Sequence, residues 1–495
     1  MSTILAEWTK LRTVPRWLLT MALAMVLTVG VSMLGAQGSM TDVNEHPNFV
    51  VGPGGAPVAD ELGFVHRTVT GDTTLTVDVT SLEPVADPEG QRPGSAHGTQ
   101  SPTTPWTDIA AGLTLKDGTT SGSSYVSVLL TGSHGVRMQS DFTDDVAGSA
   151  SSGARWLRLT RSGDAVTGYE SADGHTWHTI ATMTPAHVPS AAEIGMAVSS
   201  APASFVGRGM GGASVGAHPT SAVATFTGVD PDGDWTAAQV TMPIEELGPL
   251  NNDASPTPAV LTQDGDTYTI VGTGKVGPQA PDDDIVESTL LGVIPGVLAL
   301  ICLGVLFGTS EYRRGLIRTT VTATPRRGRV LAAKAIVLGA ATYVLSLVAV
   351  VVSFLVAVPI LQGNGMAPPA FPDPSLADPA VARTLLLTAA FMTAVTLVAL
   401  AAGMLLRRSA PAITLTIVLL LLPLIAGTVL PGTSPRWLMY TTLAGGLATM
   451  RSKPPTDGLA EPWALIGAGV GIAVVLVYAA VGMGLSWWQL RSRDA

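Results

Sequence analysis

Six long apolar runs alternate with polar segments along the chain. Each run has about 20 residues or more, enough for a helix to cross roughly 30 Å of hydrocarbon, and none has an acidic residue in its interior. The pattern predicts six membrane-spanning helices. They cover approximately residues 16–36, 288–308, 335–361, 383–406, 411–430 and 463–486.

The polar block between the first two runs, residues 37–287, has a different period. Short β-branched runs alternate with turn signals such as Asp117-Gly118, a pattern typical of antiparallel strands. We predict a β-sandwich core at about 60–230 and a smaller annex at 231–287. The predicted strands are Thr74–Leu82, Ile109–Leu115, Tyr125–Thr131, Val136–Gln139, Arg155–Arg161, Ala165–Glu170, Trp177–Thr182, Ile194–Ser199, Val223–Val229 and Thr267–Val271.

A short amphipathic segment precedes the first run. Its apolar residues recur at helical spacing, with charged residues at the other positions. This favours an interfacial helix, followed by the first span within residues 1–36, although a frayed terminus stays an alternative. The apolar residues are Ile4, Leu5, Trp8 and Leu11, and the charged ones are Glu7, Lys10 and Arg12.

Composition and charge narrow the class of protein. Of 495 residues, 46% are apolar and only 13% are charged, which is too apolar for an average soluble protein. Block 37–287 carries a net charge of −21 and the remainder +11, which together give the overall −10. The acidic balance argues against nucleic-acid binding, and the single Cys302 excludes a disulfide framework within the chain.

The basic residues of the short loops predict an orientation. With the N-terminus in the cytoplasm, 14 Lys and Arg lie inside and 4 lie outside, as the positive-inside rule requires. We therefore predict a multi-pass plasma-membrane protein with both termini cytoplasmic and residues 37–287 extracellular. Residues 288–495 hold spans two to six and a cytoplasmic loop at 309–334. The first run exceeds a signal-peptide core, so we expect it to be retained.

Several polar motifs have two interpretations each. Asp141, Asp144 and Asp145 form a solvated acidic turn or bind a hard cation. The G-x-S-x-G spacing at residues 212–216 lies in a β region, away from the strand-to-helix turn that gives it catalytic meaning. The tryptophans of the β block are sheet-face aromatics or stack on envelope glycan. They are Trp106, Trp156 and Trp177.

The cytoplasmic loop at 309–334 has the most informative pattern. A Glu-x-x-x-Gly segment is followed by Thr-Pro and a basic cluster, so a short amphipathic helix would end before the proline. The pattern anchors the loop on the inner side. Its marked residues are Glu311, Tyr312, Arg313, Arg314, Gly315, Arg318, Thr324 and Pro325.

This loop closely resembles the coupling loop of ABC transporter permeases of the type-2 (ABC-2) exporter family. The opening residues Glu7 to Thr13 also resemble that family, especially its actinobacterial members. The resemblance implies a transport subunit that is not itself an enzyme. Its marked residues would dock on a separate cytoplasmic ATPase, present in two copies, which binds ATP and Mg. A second permease copy or a paralogue would complete the export pathway.

A second resemblance concerns the β block. Residues 111–118, 155–161 and 169–177 resemble the concanavalin-like (laminin-G-like) sandwich of bacterial surface proteins. Members of that superfamily often bind glycans, and some are glycosidases. The family's permeases often have only a short first outer loop, so the role of this block does not follow from the permease resemblance.

The sequences of the spans suggest how the helices pack and what kind of cargo they could transport. G-x-x-x-G spacing at Gly292 with Gly296, and at Gly467 with Gly471, predicts close helix contacts within the chain or to a second copy. Because no acidic residue lies inside a span, ion-coupled transport is disfavoured. A lipid-like or amphipathic cargo fits such a pathway better, and membrane lipids surround it.

Two other functions remain open on the sequence. One is a membrane-anchored protein that binds envelope glycan or senses a signal without transport. The other is a membrane-tethered glycosidase, which needs two carboxylates about 5–10 Å apart across a cleft. No pair is singled out by sequence, and no site for a cofactor or metal is recognisable in the chain.

Overall fold

The computed structural model describes most of the chain, including every helix and strand named here. The described residues are 2–39, 50–85, 108–150, 153, 155–209, 212–218, 220–241, 259–279, 284–313, 327–368, 371–430, 435–456, 459 and 461–492.

Six helices in the described residues are long and apolar enough to cross a membrane, which confirms the predicted number. The chain thus has the features of a multi-pass membrane protein. The six are α2 (Pro15–Gly38), α4 (Val293–Arg313), α5 (Arg327–Gly363), α6 (Pro379–Leu406), α7 (Ser409–Val429) and α9 (Ala468–Ser492). Three shorter helices are α1 (Ser2–Thr13), α3 (Ile285–Ser288) and α8 (Arg436–Thr441).

Three of the six helices begin five or more residues from the predicted start. α4 begins at Val293 instead of 288, and the other two are α5 and α9. α5 begins at Arg327 instead of near 335, so the last residues of the predicted loop are helical. The sequence treats Lys334 as a loop anchor, whereas this side chain is buried and paired inside the bundle. α9 begins at Ala468 instead of 463, because Pro462 opens a separate 3₁₀ turn ahead of it.

Two seven-stranded antiparallel sheets lie between α2 and α3 in the chain order. In order across the first sheet, the strands are β10 (His178–Met183), β9 (Ala165–Ser171), β8 (Arg155–Ser162), β3 (Thr73–Val85), β14 (Ser221–Asp230), β17 (Thr267–Thr273) and β16 (Val260–Asp264). Across the second, they are β15 (Thr236–Val240), β2 (Leu62–Thr70), β11 (Ala191–Ser200), β4 (Ile109–Lys116), β5 (Tyr125–Thr131), β6 (Gly135–Ser140) and β7 (Asp144–Ala147).

The two sheets share one apolar core. Leu157 and Leu159 of the first sheet belong to the same buried cluster as Leu113 and Val128 of the second. This is the sandwich arrangement, and all ten predicted strands are present in it. Two small antiparallel pairs complete the strands: β1 (Val58–Asp60) with β18 (Val276–Pro278), and β12 (Ala203–Gly209) with β13 (Gly212–His218).

The division of the β block at residue 230 does not match the structure. Strands β15, β16 and β17 follow that residue but belong to the two main sheets. Tyr268 and Ile270 of β17 lie in the shared core. Strands β15, β16 and β17 are therefore part of the sandwich and not of a separate annex, whereas Asp284 and Glu287 lie beyond the strands, at α3.

Helices α2 and α4 approach each other through small residues. A side chain at Gly292 or Gly296 would overlap Thr28, and the Gly292 N–H donates to the Ser32 hydroxyl at 3.0 Å. The close contact predicted for this glycine pair is therefore made within the chain. Of the second pair, Gly471 lies against the backbone of residue 445 while Gly467 faces open space.

The segment between α7 and α9 folds back into the helix bundle. The sequence places it in a short outer loop, but its 3₁₀ helix, Leu443–Met450, is buried along its whole length. Thr384 and Thr388 of α6 donate to the carbonyls of Arg451 and Thr449 at 3.1 and 3.0 Å. These hydrogen bonds satisfy carbonyls that the end of the 3₁₀ helix leaves open, which allows irregular backbone to be buried there.

Candidate functional site

Four side chains from four helices meet beside the two ends of the predicted coupling segment. Glu7 comes from α1, Trp17 from α2, Phe307 from α4 and Lys334 from α5. We call these residues the four-helix junction. The chain can bring α1 back to the bundle because Val14 is extended between α1 and α2 and is followed by Pro15, which disfavours a continuous helix.

The centre of the junction is a buried ion pair. The Lys334 ammonium donates to Glu7 Oε2 at 3.0 Å, and the two side chains are 1% and 9% exposed. Lys10 lies farther from the same carboxylate, at 3.9 Å, and is 33% exposed. A buried pair holds its two elements in one arrangement, since separating them would leave a charge without compensation in a poorly solvated site.

Two aromatic rings extend the pair to the other helices. The Lys334 ammonium lies 4.9 Å from the centre of the Phe307 ring, within the range of a cation–π contact. Trp17 packs edge-on against Phe307, with ring centres 5.0 Å apart and Trp17 itself 2% exposed. The amphipathic N-terminal helix is thus tied to α2, α4 and α5 at once.

The structure places the predicted coupling residues only in part. Glu311, Tyr312 and Arg313 form the last turn of α4, one turn beyond Phe307. The others, Arg314, Gly315, Arg318, Thr324 and Pro325, lie outside the described residues. On the other side of the segment, Lys334 lies about two turns into α5.

Sequence reasoning missed the junction itself. Glu7 was placed on the polar side of an interfacial helix and Lys334 in a surface loop, but both are buried. The helix α1 is confirmed; its residues Ile4, Leu5 and Trp8 face outward. The one usable signal was a single acid on the first helix and a single lysine at the start of an apolar run.

A second polar contact joins the end of the β block to the helix bundle. Asp284 caps α3 and is 4% exposed. Its carboxylate also accepts hydrogen bonds from the Ser452 N–H at 2.6 Å, the Ser452 hydroxyl at 2.9 Å and the Lys453 N–H at 3.1 Å. We call this contact the Asp284 latch. It fixes the chain that leaves the sheets to the loop that follows the buried 3₁₀ helix.

Glu287 lies beside the latch, in a cavity of about 230 Å³. Its carboxylate accepts a hydrogen bond from the Trp463 indole at 2.5 Å and lies 3.5 Å from Arg451. Burial raises the pKa of Glu287 from 4.5 to about 7, although Arg451 and Trp463 act in the opposite direction. The group therefore changes charge near neutral pH.

This raised pKa predicts a pH-dependent stability. Because folded Glu287 holds its proton more tightly than the unfolded chain, its contribution is fully present below its ordinary pKa of 4.5 and is lost as pH rises through about 7. We expect wild type to lose on the order of 2–3 kcal/mol relative to Glu287→Gln over that window. Unfolding midpoints of the detergent-solubilised chain at about pH 5 and pH 8 check this.

Glu461→Gln is the matched control, since Glu461 lines the same cavity. It should retain most of the pH dependence of wild type, because Glu461 comes last in size among the groups that act on the pKa of Glu287. An identical pH dependence in wild type and Glu287→Gln would refute the prediction.

The tryptophans considered for glycan contact are packed against the protein itself. Trp156 is half-buried on β8 and lies so close to Gly174 and Gly228 that a side chain at either glycine would overlap its ring. The Arg158 guanidinium lies 3.8 Å from the centre of the Trp177 ring and covers one face of it. These contacts are those of sheet-face aromatics. Trp106 lies outside the described residues.

Two of the three carboxylates considered for cation binding are engaged by protein groups. Asp141 accepts hydrogen bonds from the Ser124 hydroxyl and from two backbone N–H groups. Asp145 pairs with Arg137 at 2.8 Å, and Asp144 is exposed. Within the described ranges, no group of three or more His, Cys, Asp or Glu residues could hold a metal ion. The G-x-S-x-G spacing lies on strand β13 of a hairpin.

Comparisons with known proteins leave the family undetermined. No protein-family model matches the chain, and no curated protein matches it either. Solved structures with some similarity include scytalido-glutamic peptidase with a peptide-based transition state analog, at 11% identity and a TM-score of 0.24. Another is SCP-B, of the Eqolisin family of peptidases, in a complex with the tripeptide Ala-Ile-His, at 12% identity and a TM-score of 0.22.

Each of these two alignments covers 43% of this chain and 98% of the other. A functionally unknown protein from Saccharomyces cerevisiae is 16% identical, with a TM-score of 0.14, over 27% of this chain and 62% of its own. Scores this low do not establish a shared fold, so they support no conclusion about activity.

Proposed function

We propose that the chain is the membrane-spanning permease subunit of an ABC-2-type exporter. A separate cytoplasmic ATPase, in two copies, would bind ATP and Mg and dock on the segment that begins at Glu311. The chain would have both termini in the cytoplasm and the sandwich outside. A second permease copy or a paralogue would complete the pathway for a lipid-like or amphipathic cargo.

The four-helix junction is the observation that carries this proposal. A segment that an ATPase displaces can move the membrane helices only if its two ends are held rigidly to those helices. Both helices that bound the segment, α4 and α5, are tied to α1 and α2 by the Glu7–Lys334 pair and by the Phe307 ring. Movement of the segment would therefore shift four helices together, because buried, packed groups rearrange as units.

The resemblance of the N-terminal stretch to ABC-2 permeases fits this arrangement. Glu7 belongs to the N-terminal stretch that resembles the permease family, and the structure buries it beside the helices that bound the coupling segment. The Asp284 latch connects the same bundle to the sandwich. This contact gives the outer domain a physical route to follow movements of the spans.

Purification from the native host tests the proposal. The tagged chain, extracted in mild detergent, is expected to bring down an ATP-binding-cassette ATPase in about equal amount. A well-folded chain that emerges alone, under conditions that preserve known transporter complexes, would contradict transport. The two other functions, a membrane-anchored glycan-binding protein and a membrane-tethered glycosidase, would then be tested by assays of glycan binding and polysaccharide turnover.

A further inference from the structure

An apolar groove of about 450 Å³ lies between α1, α2 and α5. Its size is that of a small-ligand site. Almost all of its lining is apolar, and the walls include Trp8, Met21, Ala341, Val344 and Leu345.

The groove is open to the region that lipid would occupy. Val344 is 61% exposed and Leu18 is 48% exposed, although both belong to helices that are apolar enough to span a membrane. The α2 wall begins at Leu18, within about one turn of the start of α2. The groove therefore begins at one surface of the bilayer and runs into its hydrocarbon.

One charged side chain lies on the groove, and it is a cation. Arg12 lines the groove and is exposed, and no described residue forms an ion pair or hydrogen bond with its guanidinium. Arg16 is exposed on the next helix, with its guanidinium 5.1 Å from the Trp17 ring. The acid on α1, Glu7, is buried in its pair with Lys334. The polar end of the groove thus carries positive charge that no residue in the described part of the chain neutralises.

We propose that this groove is a binding site for an anionic glycerophospholipid. One acyl chain lies along Met21, Ala341 and Val344, and the phosphate pairs with Arg12. An apolar slot alone would accept any lipid, but an Arg at its mouth favours a negative headgroup. The site does not depend on the proposed transport function. With the proposed orientation, in which the N-terminus is cytoplasmic, the groove would open at the inner leaflet.

Photocrosslinking tests the site. The full-length chain is reconstituted in vesicles of phosphatidylcholine with a minor fraction of phosphatidylglycerol that carries a diazirine in its acyl chain. We expect adducts on groove peptides of α2 and α5, competed by unlabelled phosphatidylglycerol and not by added phosphatidylcholine. Arg12→Gln should bind phosphatidylglycerol about fivefold more weakly, and Arg12→Lys should retain most of the selectivity.

A substitution that fills the groove tests the site independently of the Arg12 variants. Ala340 lines the groove and is exposed, so Ala340→Trp should remove the adducts without unfolding the chain. Ala332→Trp is the matched control, because Ala332 is exposed on the same helix and is not part of the groove lining. Equal labelling by phosphatidylcholine and phosphatidylglycerol probes, or unchanged labelling in Arg12→Gln, would overturn the proposal.

Discussion

Replacing Lys334 with methionine is expected to destabilise the helix bundle by about 3–5 kcal/mol. Methionine keeps most of the volume of the lysine stem, so the loss comes chiefly from the charge. Glu7 would keep its buried carboxylate without the ammonium that now lies 3.0 Å away. The cation–π contact to Phe307 would also be lost.

A compensated variant separates charge from packing. In Glu7→Gln with Lys334→Met, no uncompensated charge remains, so most of the lost stability should return. Lys10→Ala is the control. Lys10 approaches the same carboxylate from a partly exposed position, so this substitution should cost at most about 1 kcal/mol. Unfolding of the detergent-solubilised chain by increasing denaturant gives the comparison. Equal losses in Lys334→Met and Lys10→Ala would show that the buried pair does not hold α1.

The second large effect is expected in the sandwich, from Lys116→Met. Lys116 and Asp60 form an ion pair and are each 1% exposed. Burial lowers the pKa of Lys116, and Asp60 is the main opposing influence. The lysine also donates to the Ser123 carbonyl at 3.1 Å, and its ammonium lies 5.6 and 5.8 Å from the centres of the Tyr125 and Phe142 rings.

Loss of this lysine should cost about 3–5 kcal/mol of sandwich stability, because the buried Asp60 carboxyl group would lose its cation. One of its oxygens, Oδ1, already has no hydrogen-bond partner among the described residues. Asp60→Asn with Lys116→Met should recover much of the loss. Arg137→Ala, which removes an exposed pair with Asp145, is the control and should cost at most about 1 kcal/mol.

The stability of the sandwich in each variant is measured by protease resistance. The full chain is digested over a denaturant series, and cleavage is followed at the strands of the sandwich. A Lys116→Met chain as resistant as Arg137→Ala would contradict the prediction.

The spans and the core strands were predictable because each follows from a local pattern. Six apolar runs of sufficient length gave six helices, and alternation in segments such as Arg155–Arg161 gave strands whose Leu157 and Leu159 are buried. The sequence pattern did not predict strand β2, because both faces of its first residues are buried. Val65 lies in the main core and Phe64 in a second cluster, so no alternation appears.

Other missed strands carry weak local signals. Strands β12 and β13 are rich in Gly, and β7 begins with two aspartates, residue types that are depleted in strands. Their pairing with neighbouring strands, and not their own composition, places them in sheets.

The junction could not be predicted because it depends on tertiary contacts. Glu7 and Lys334 are 327 positions apart, and no spacing rule relates them. Each alone has an ordinary explanation, as part of an interfacial helix or as a positive-inside anchor. Only the packing of α1 on α5 makes them a pair, and the same packing creates the groove beside Arg12.

ATP hydrolysis by the purified complex shows whether the segment that begins at Glu311 couples the chain to a separate ATPase. Wild type is compared with Glu311→Ala/Arg314→Ala, in the coupling segment, and with Arg436→Ala/Glu461→Ala, a matched loss of one acid and one base in the segment between α7 and α9. We expect the first double variant, at normal expression, to lose the bound ATPase and its ATP hydrolysis, while the second retains both. An ATPase that stays bound and fully active in the first variant would contradict the account.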